Sequence, residues 1–356
     1  MTRDRGGIAR RVTPRSTVTG VVALSALALC GGAGAGCGAA SAVSGARSAS
    51  VTSFGAPARA ATAPLRRTGG HPIYAVGERV LTFVDHSRRV RLRGRPPEPR
   101  SLVTVIRYPA LGPASRTDVP GAPPDRRAGP FPLIVFGHGF AVTPAPYAPL
   151  LQAWARAGYV VVAPIFPLEN ANAPGGPDES DLPNQPRDMR LVISRMLAAS
   201  GDPHNALAGL IKPGQIAVSG QSDGGETALA VAYDRYYQDR RVRAAVILSG
   251  AQLPGGGFAF PSPSPPLLAT QGTADTINPP PYTYAFFDAA PRPKYLLKLL
   301  GARHLPPYTY QQPQLSIVER VTIAFLDRYL KSDRRGVARM RAAGSVSPAA
   351  TLIADP

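Results

Sequence analysis

A strand, a sharp turn and a helix can be read directly from residues 216–228, and a serine stands at the apex of the turn. The apolar run that begins at Ile216 ends at Gly220, and Ser222 is followed by Asp223, two glycines and a helix-forming run. Small residues at Gly220 and Gly224 allow a tight turn and a close approach of strand and helix. The pattern predicts a serine hydroxyl at the top of a sheet, near a helix N-terminus that favours developing negative charge.

An acid and a histidine follow this serine in the chain, each after a predicted strand. The stretch 267–277 is an apolar strand that leads into a loop containing Asp275. The stretch 295–304 is another strand and loop, which ends at His304. A serine hydroxyl is a poor nucleophile at neutral pH, so a histidine must take its proton and a carboxylate must orient the imidazole. The order Ser222, Asp275, His304 predicts a catalytic triad whose chain order differs from those of the chymotrypsin and subtilisin types.

Each member of this predicted triad has a competitor. Ser222 could be only a small turn residue, and Asp288 is a rival acid, although it falls inside a helical run. His204, in a loop before the serine-bearing strand, is the serious alternative to His304, and chain order favours His304. His138 is interpreted as a structural hydrogen-bonding residue rather than a base.

A fourth element lies upstream, where the strand 132–136 ends in a His-Gly turn before Phe140. In a strand–turn–helix site of this type, one oxyanion donor comes from the loop after such a strand and the other from the residue that follows the nucleophile. We therefore expect the backbone N–H groups of Phe140 and Asp223 to form the oxyanion hole.

Together these motifs resemble the serine α/β-hydrolases, in particular the group of cutinase-like polyester hydrolases and platelet-activating-factor acetylhydrolase-like enzymes, with dienelactone hydrolases more distant. The resemblance covers roughly residues 75–335 and rests on four segments: 138–140, 220–224, 272–279 and 301–304. It implies an α/β-hydrolase fold and hydrolysis of carboxylic esters through an acyl-enzyme. The chain departs from the usual pattern at Gln221 and Asp223, where the group commonly has histidine and methionine. Transfer of the acyl group to an alcohol, or a non-catalytic binding protein on the same fold, are the alternatives.

Apolar strands alternate with helical patterns along the rest of the chain, which predicts a mostly parallel sheet with helices on both faces. The predicted domain spans residues 73–333, preceded by a flexible tether at 38–72 and followed by a disordered tail at 334–356. Two early antiparallel strands are expected at 79–85 and 102–108. Further strands are predicted at 133–136, 159–163, 216–219, 244–248, 266–270 and 295–300, and helices at 149–157, 185–199, 226–237, 282–289 and 315–330.

Residues 1–37 have the features of an export signal. Arg10 and Arg11 precede an apolar segment that is too short for a comfortable membrane span, and small residues follow it. The last residue of this segment, Cys37, stands in a context that resembles a bacterial lipobox, so lipidation of Cys37 and simple cleavage nearby are both open. We expect an exported protein, extracellular or held at the cell surface.

The net charge of +18 raises the question of an acidic polymer as partner. Because the arginines are scattered and no nucleic-acid motif accompanies them, we expect a soluble basic surface and no nucleic acid. The acidic run Asp178–Asp181 matches no EF-hand spacing. We expect no metal and no cofactor, a small-molecule or polymeric ester as substrate, and a monomer.

Overall fold

The sheet that organises the molecule has ten strands, six of which run parallel through its centre. The computed structural model describes residues 67–68 and 71–356. A short two-stranded hairpin, β1 (Arg67–Thr68) and β2 (His71–Pro72), forms a sheet of its own. The remaining strands are β3 (Ala75–Val90), β4 (Glu98–Ala110), β5 (Val119–Pro120), β6 (Phe131–Gly137), β7 (Val160–Pro164), β8 (Ile211–Gln221), β9 (Val242–Leu248), β10 (Leu267–Gly272), β11 (Lys294–Leu299) and β12 (Ala350–Asp355).

The strand order of this sheet is β12-β11-β10-β9-β8-β6-β7-β4-β3-β5. The block from β7 to β11 is parallel, whereas β4 runs antiparallel to both β3 and β7, and β12 runs antiparallel to β11. The predicted early antiparallel pair therefore corresponds to β3 and β4, which are longer than the sequence pattern indicated. Because the parallel strands end at one edge, residues that directly follow β6, β8, β10 and β11 are brought together.

Six helices cover the two faces of the sheet: α1 (Ala148–Arg156), α2 (Gln185–Gly201), α3 (Asp223–Tyr233), α4 (Pro280–Ala289), α5 (Gln314–Leu330) and α6 (Gly336–Gly344), as found in the described residues. One buried cluster contains apolar side chains of α2, α3 and α4, and the other contains those of α1, α5 and α6. Side chains of strand β6 alternate between the two clusters: Leu133 and Val135 enter the first, while Ile134 and Phe136 enter the second. Every residue of β6 is buried, as expected for a strand covered on both sides. The predicted α/β-hydrolase fold is confirmed by this arrangement.

The prediction of a disordered tail at 334–356 is wrong. Helix α6 packs against α5 and buries Met340 completely, and β12 extends the sheet by pairing along the whole of β11. The small side chains that made this segment look disordered serve close packing, because a Cβ on Gly344 would press against Leu352 of β12. Folded structure thus continues to the end of β12.

Most of the predicted N-terminal segments lie outside the described residues. This applies to the export signal at 1–37, to Cys37 and to most of the tether at 38–72, of which only the hairpin strands β1 and β2 are described. Within the described part of the chain, none of the helices has the length and apolar character needed to cross a membrane.

We expect Met340→Ala to destabilise the protein by about 2–5 kcal/mol, because it removes a fully buried side chain between α6 and the sheet. The exposed neighbour Arg341, replaced by alanine, is the matched control and should change the free energy of unfolding by less than about 0.5 kcal/mol. Urea unfolding of the three proteins measures both values. Equal, negligible effects of the two substitutions would mean that the C-terminal segment does not pack as described.

Candidate active site

Ser222 occupies the turn between β8 and α3 in a conformation that side chains rarely adopt. Its φ of 57° and ψ of −126° lie outside the regions open to ordinary residues. The surrounding backbone holds it there: its N–H donates to the carbonyl of Leu248 at 3.0 Å, and its own carbonyl accepts from the N–H of Glu226 at 2.9 Å. Strain of this kind persists only where the structure around it enforces it, and it is concentrated at functional sites.

The glycines on either side of Ser222 are required by close backbone packing. A Cβ on Gly220 would overlap the carbonyl of Gly224, and a Cβ on Gly224 would overlap the carbonyls of Gly137 and His138. The start of α3 is therefore packed directly against the end of β6. This contact brings the serine turn and the turn after β6 together at the edge of the sheet.

Asp275 and His304, predicted as acid and base, are in direct contact. His304 Nδ1 lies 2.8 Å from Asp275 Oδ2, and the other carboxylate oxygen accepts the backbone N–H groups of Ile277 and Asn278, each at 3.0 Å. Burial would raise the pKa of Asp275, but the hydrogen bonds from His304 and from these N–H groups outweigh it, so the pKa is lowered. Asp275 is therefore an ionised acceptor that fixes the orientation of the imidazole.

The remaining ring nitrogen of His304 faces Gln221, a contact that the sequence pattern did not reveal. Gln221 Nε2 lies 3.1 Å from His304 Nε2 and also donates to the His304 carbonyl at 3.3 Å. Among the described residues, the hydrogen bond of Ser222 Oγ is with Asp223 Oδ1, at 3.4 Å, rather than with His304. The structure thus joins the predicted acid and base, and Gln221 stands where the base would accept the serine proton.

Gln221 is itself held by Tyr147, which precedes α1. The Tyr147 hydroxyl donates to Gln221 Oε1 at 2.7 Å and accepts the N–H of Gly139 at 3.3 Å. Both side chains are buried. This chain of hydrogen bonds connects the turn after β6 to His304, and its only sequence signal was the departure at position 221.

Phe140, the expected oxyanion donor, lies in the turn after β6, and its side chain is partly exposed. His138 braces this turn: its Nε2 accepts the N–H of Phe166 at 3.0 Å, so its protonated Nδ1 donates to the Gly139 carbonyl at 2.9 Å. Burial lowers the pKa of His138 to about 4. A neutral histidine with both nitrogens engaged supports its predicted structural role.

Asp223, whose backbone N–H is the second expected oxyanion donor, places a carboxyl group next to that position. Burial raises its pKa to about 6, and the negative charge of Glu179 adds to this effect. The carboxyl contacts Ser222 Oγ through Oδ1, whereas Oδ2 is buried and has no hydrogen-bond partner among the described residues.

Two more carboxyl groups near Asp223 escaped the sequence analysis. Glu226 lies one helical turn further along α3, and Glu169 lies in the loop between β7 and α2, where its carbonyl accepts the N–H of Ala141 at 2.9 Å. Burial, followed by the charge of Asp223, raises the pKa of Glu226 to about 8 and that of Glu169 to about 9. A helix-forming glutamate and a loop glutamate carry no pattern that would mark them as neighbours of the serine.

The competing residues lie elsewhere. Asp288 is exposed on α4, and His204 is exposed in the loop before β8, where its backbone N–H bonds to Asp202. In the described residues no group of three or more His, Cys, Asp or Glu side chains is arranged to hold a metal ion. A cavity of about 710 Å³ between α1, α5 and α6 contains none of the candidate site residues.

Comparisons with known proteins bear on the fold and on the class of enzyme. The family model described as chlorophyllase matches residues 121–249, well under half of the chain, and this part includes Phe140 and Ser222 but ends before Asp275 and His304. A ferulic acid esterase from Streptomyces cinnamoneus superposes with a TM-score of 0.61 at 21% sequence identity, covering 78% of this chain and 96% of that one. The chain has the α/β-hydrolase fold, and over residues 121–249 it is similar to the chlorophyllase family.

The family match confirms the predicted class of enzyme, a hydrolase that cleaves esters. The likeness to the solved esterase confirms the fold, which 1010 chains of solved structures share. No curated protein matches the chain. The roles of Ser222, Asp275, His304, Phe140 and Asp223 remain predictions, which the geometry above makes specific.

The raised pKa of Glu169 makes the stability of the hydrolase depend on pH. The folded state keeps its carboxyl protonated up to about pH 9, whereas the unfolded chain ionises near its ordinary value of 4.5. Stability from this group is therefore full below pH 4.5 and is lost as pH rises towards 9. We expect the free energy of unfolding of the native protein to fall between pH 7 and 9. His138 is neutral in this range and does not contribute to the pH dependence of that free energy.

Glu169→Gln should flatten this slope by on the order of 1 kcal/mol per pH unit, because it removes the ionisation and keeps the shape. The part of the slope due to Glu226 should persist. Urea unfolding at pH 7, 8 and 9 gives both slopes. Identical slopes for the two proteins would show that Glu169 is not buried as a neutral acid.

Proposed function

We propose that this protein is an exported serine carboxylester hydrolase that acts through Ser222, His304 and Asp275. The observation that carries the proposal is the Asp275–His304 hydrogen bond of 2.8 Å beside a strained serine at the end of a parallel strand. A family match described as chlorophyllase and a structural likeness to a ferulic acid esterase support ester cleavage.

In the proposed reaction, Ser222 Oγ attacks the ester carbonyl carbon as His304 Nε2 takes its proton. Asp275 holds the imidazole through Nδ1 and stabilises the imidazolium that forms. The backbone N–H groups of Phe140 and Asp223 stabilise the oxyanion. His304 then protonates the leaving alkoxide, the alcohol departs, and water, deprotonated by the same histidine, hydrolyses the acyl-enzyme to release the acid.

Substrate binding has to displace the amide of Gln221 from His304 Nε2, because one lone pair cannot accept from both Gln221 and Ser222. The displaced amide retains its bond to Tyr147, 2.7 Å away, so a small rotation about the side chain is sufficient. Gln221 thus keeps the resting imidazole in the tautomer with its proton on Nδ1, which is the tautomer that a general base requires.

We expect Ser222→Ala to lower kcat for p-nitrophenyl butyrate by at least about 10³-fold, because the nucleophile is lost. Ser219→Ala is the matched control: Ser219 is a buried serine of β8 whose hydroxyl has no hydrogen-bond partner among the described residues, and its loss should leave kcat within about threefold. Release of p-nitrophenol by the folded variants measures the effect. Full activity of Ser222→Ala would refute the proposed nucleophile.

Export is proposed from residues 1–37 alone, and lipidation of Cys37 decides between a surface tether and a released enzyme. Fractionation of bacteria that produce the full chain, native or with Cys37→Ser, tests both. A tethered enzyme should be found with the membranes and be released by the substitution, whereas a cleaved one should be in the medium in both cases. Retention of the native protein in the cytoplasm would contradict export.

A further inference from the structure

The charges beside Ser222 have the opposite sign from those of the protein as a whole. The chain carries a net charge of +18, yet four carboxyl groups meet next to the serine. We call this set the acidic pocket; it consists of Asp223, Glu226, Glu169 and Glu179. It extends from the exposed Glu179 at the surface to the fully buried Glu169.

Two members of the acidic pocket share one face of α3. Asp223 and Glu226 are three residues apart on the helix, so their side chains are neighbours, and like charges at this spacing destabilise a helix. Asp223 is also the charge that acts most strongly on both Glu226 and Glu169. The carboxyl groups therefore converge on the residue that contacts Ser222 Oγ.

The buried members of the acidic pocket are incompletely hydrogen-bonded. The Oδ2 atom of Asp223 is buried and unpaired among the described residues, and neither carboxyl oxygen of Glu169 completes a hydrogen bond, although the amide of Gln185 lies near enough to lower the pKa of Glu169. Glu169 has no exposed surface and Asp223 is 7% exposed. Buried polar groups without partners are rare in folded proteins, and a group of a bound substrate is one kind of partner that would satisfy them.

Three other buried carboxyl groups of this chain have a basic partner. Asp188 bonds to Arg100 at 2.6 Å, Asp239 to Arg241 at 2.5 Å and Asp327 to Lys331 at 3.1 Å. In the part of the chain that the structure describes, no arginine or lysine pairs with Asp223, Glu226 or Glu169. A chain rich in arginine thus leaves three buried acids beside the serine, Glu169, Asp223 and Glu226, without a counter-charge.

We propose that the acidic pocket is a subsite for a substrate cation, an alkylammonium group carried on the acyl or the alcohol part of the ester. The proposal rests on the ester hydrolase function proposed above and names its substrate class. A cation that enters supplies the missing partner to Asp223 and Glu226. Because the carboxyl groups are not arranged to hold a metal ion, an organic cation of the substrate fits them better.

The same cation removes an electrostatic penalty from the reaction. An ionised Asp223 beside the N–H groups of the oxyanion hole opposes the negative charge that develops there. A positive group of the substrate between Asp223 and Glu226 neutralises this repulsion, so a cationic ester gains more in the transition state than a neutral ester of the same shape.

Two matched pairs of esters test the proposal and locate the cation. Acetylthiocholine and 3,3-dimethylbutyl thioacetate differ in charge on the leaving group, and p-nitrophenyl 4-(trimethylammonio)butyrate and p-nitrophenyl 5,5-dimethylhexanoate differ in charge on the acyl group. We expect kcat/KM to favour the cationic member of at least one pair about tenfold at pH 7.5, as for one charge-assisted contact.

The ratio of kcat/KM for the cationic ester to that for the neutral ester measures the contribution of the subsite separately from that of the catalytic residues. Asp223→Asn at pH 7.5 and Glu226→Gln at pH 9, where Glu226 is ionised, keep shape and remove charge, so each should reduce this ratio about tenfold. Glu319→Gln is the matched control, since Glu319 is a partly buried glutamate of α5 with arginines around it. It should leave the ratio unchanged.

The ratio should also increase between pH 7 and 9, because Glu226, whose pKa is about 8, then becomes ionised. The charged groups that act on it are Asp223 on its own helix and Glu179, both acidic.

A ratio near one for both pairs in the native protein, or a preference that survives Asp223→Asn and Glu226→Gln, would overturn the acidic pocket as a cation subsite. Hydrolysis of the neutral esters, lost in Ser222→Ala, would leave the hydrolase function intact in that case. If the native protein cleaves no member of either pair and no p-nitrophenyl butyrate, the proposed function fails and the cation subsite fails with it.

Discussion

The contact between the end of β6 and the start of α3 is the constraint on which the site depends. Backbone atoms of Gly220 and Gly224 lie so close to their neighbours that no side chain fits at either position. This packing forces Ser222 into its positive φ and sets the serine beside the turn that carries Phe140. A strained residue costs about 1–3 kcal/mol, which the sheet and the two apolar clusters around it can support.

Electrostatics around this rigid turn explains what distinguishes the site. Arginine neutralises the buried acids Asp188 and Asp239, whereas Asp223, Glu226 and Glu169 have no such partner among the described residues. Burial therefore raises their pKa values, and the group nearest the serine, Asp223, changes its charge near pH 6. The geometry of the hydrolase thus supports acyl transfer chemistry in general, whereas its charges are the basis of the proposed preference for cationic esters.

Local patterns carried the prediction of the central sheet and of the Asp275–His304 pair, because each strand, turn and following residue is contiguous in the chain. What escaped prediction depends on distant contacts. Gln221 and His304 are 83 positions apart, and only the folded site shows that they meet. The segment after residue 334 has the composition of a loose tail, yet pairing with β11 and packing against α5 fold it.

The central claim is that the turn holds Ser222 as the nucleophile and that His304 activates it. The most direct measurement is mass spectrometry of the native protein and of His304→Ala after treatment with a fluorophosphonate. The account predicts one adduct per native chain, on the peptide that contains Ser222, and labelling slower by orders of magnitude in His304→Ala. An adduct on another residue, no adduct, or equal labelling of the two proteins would contradict it.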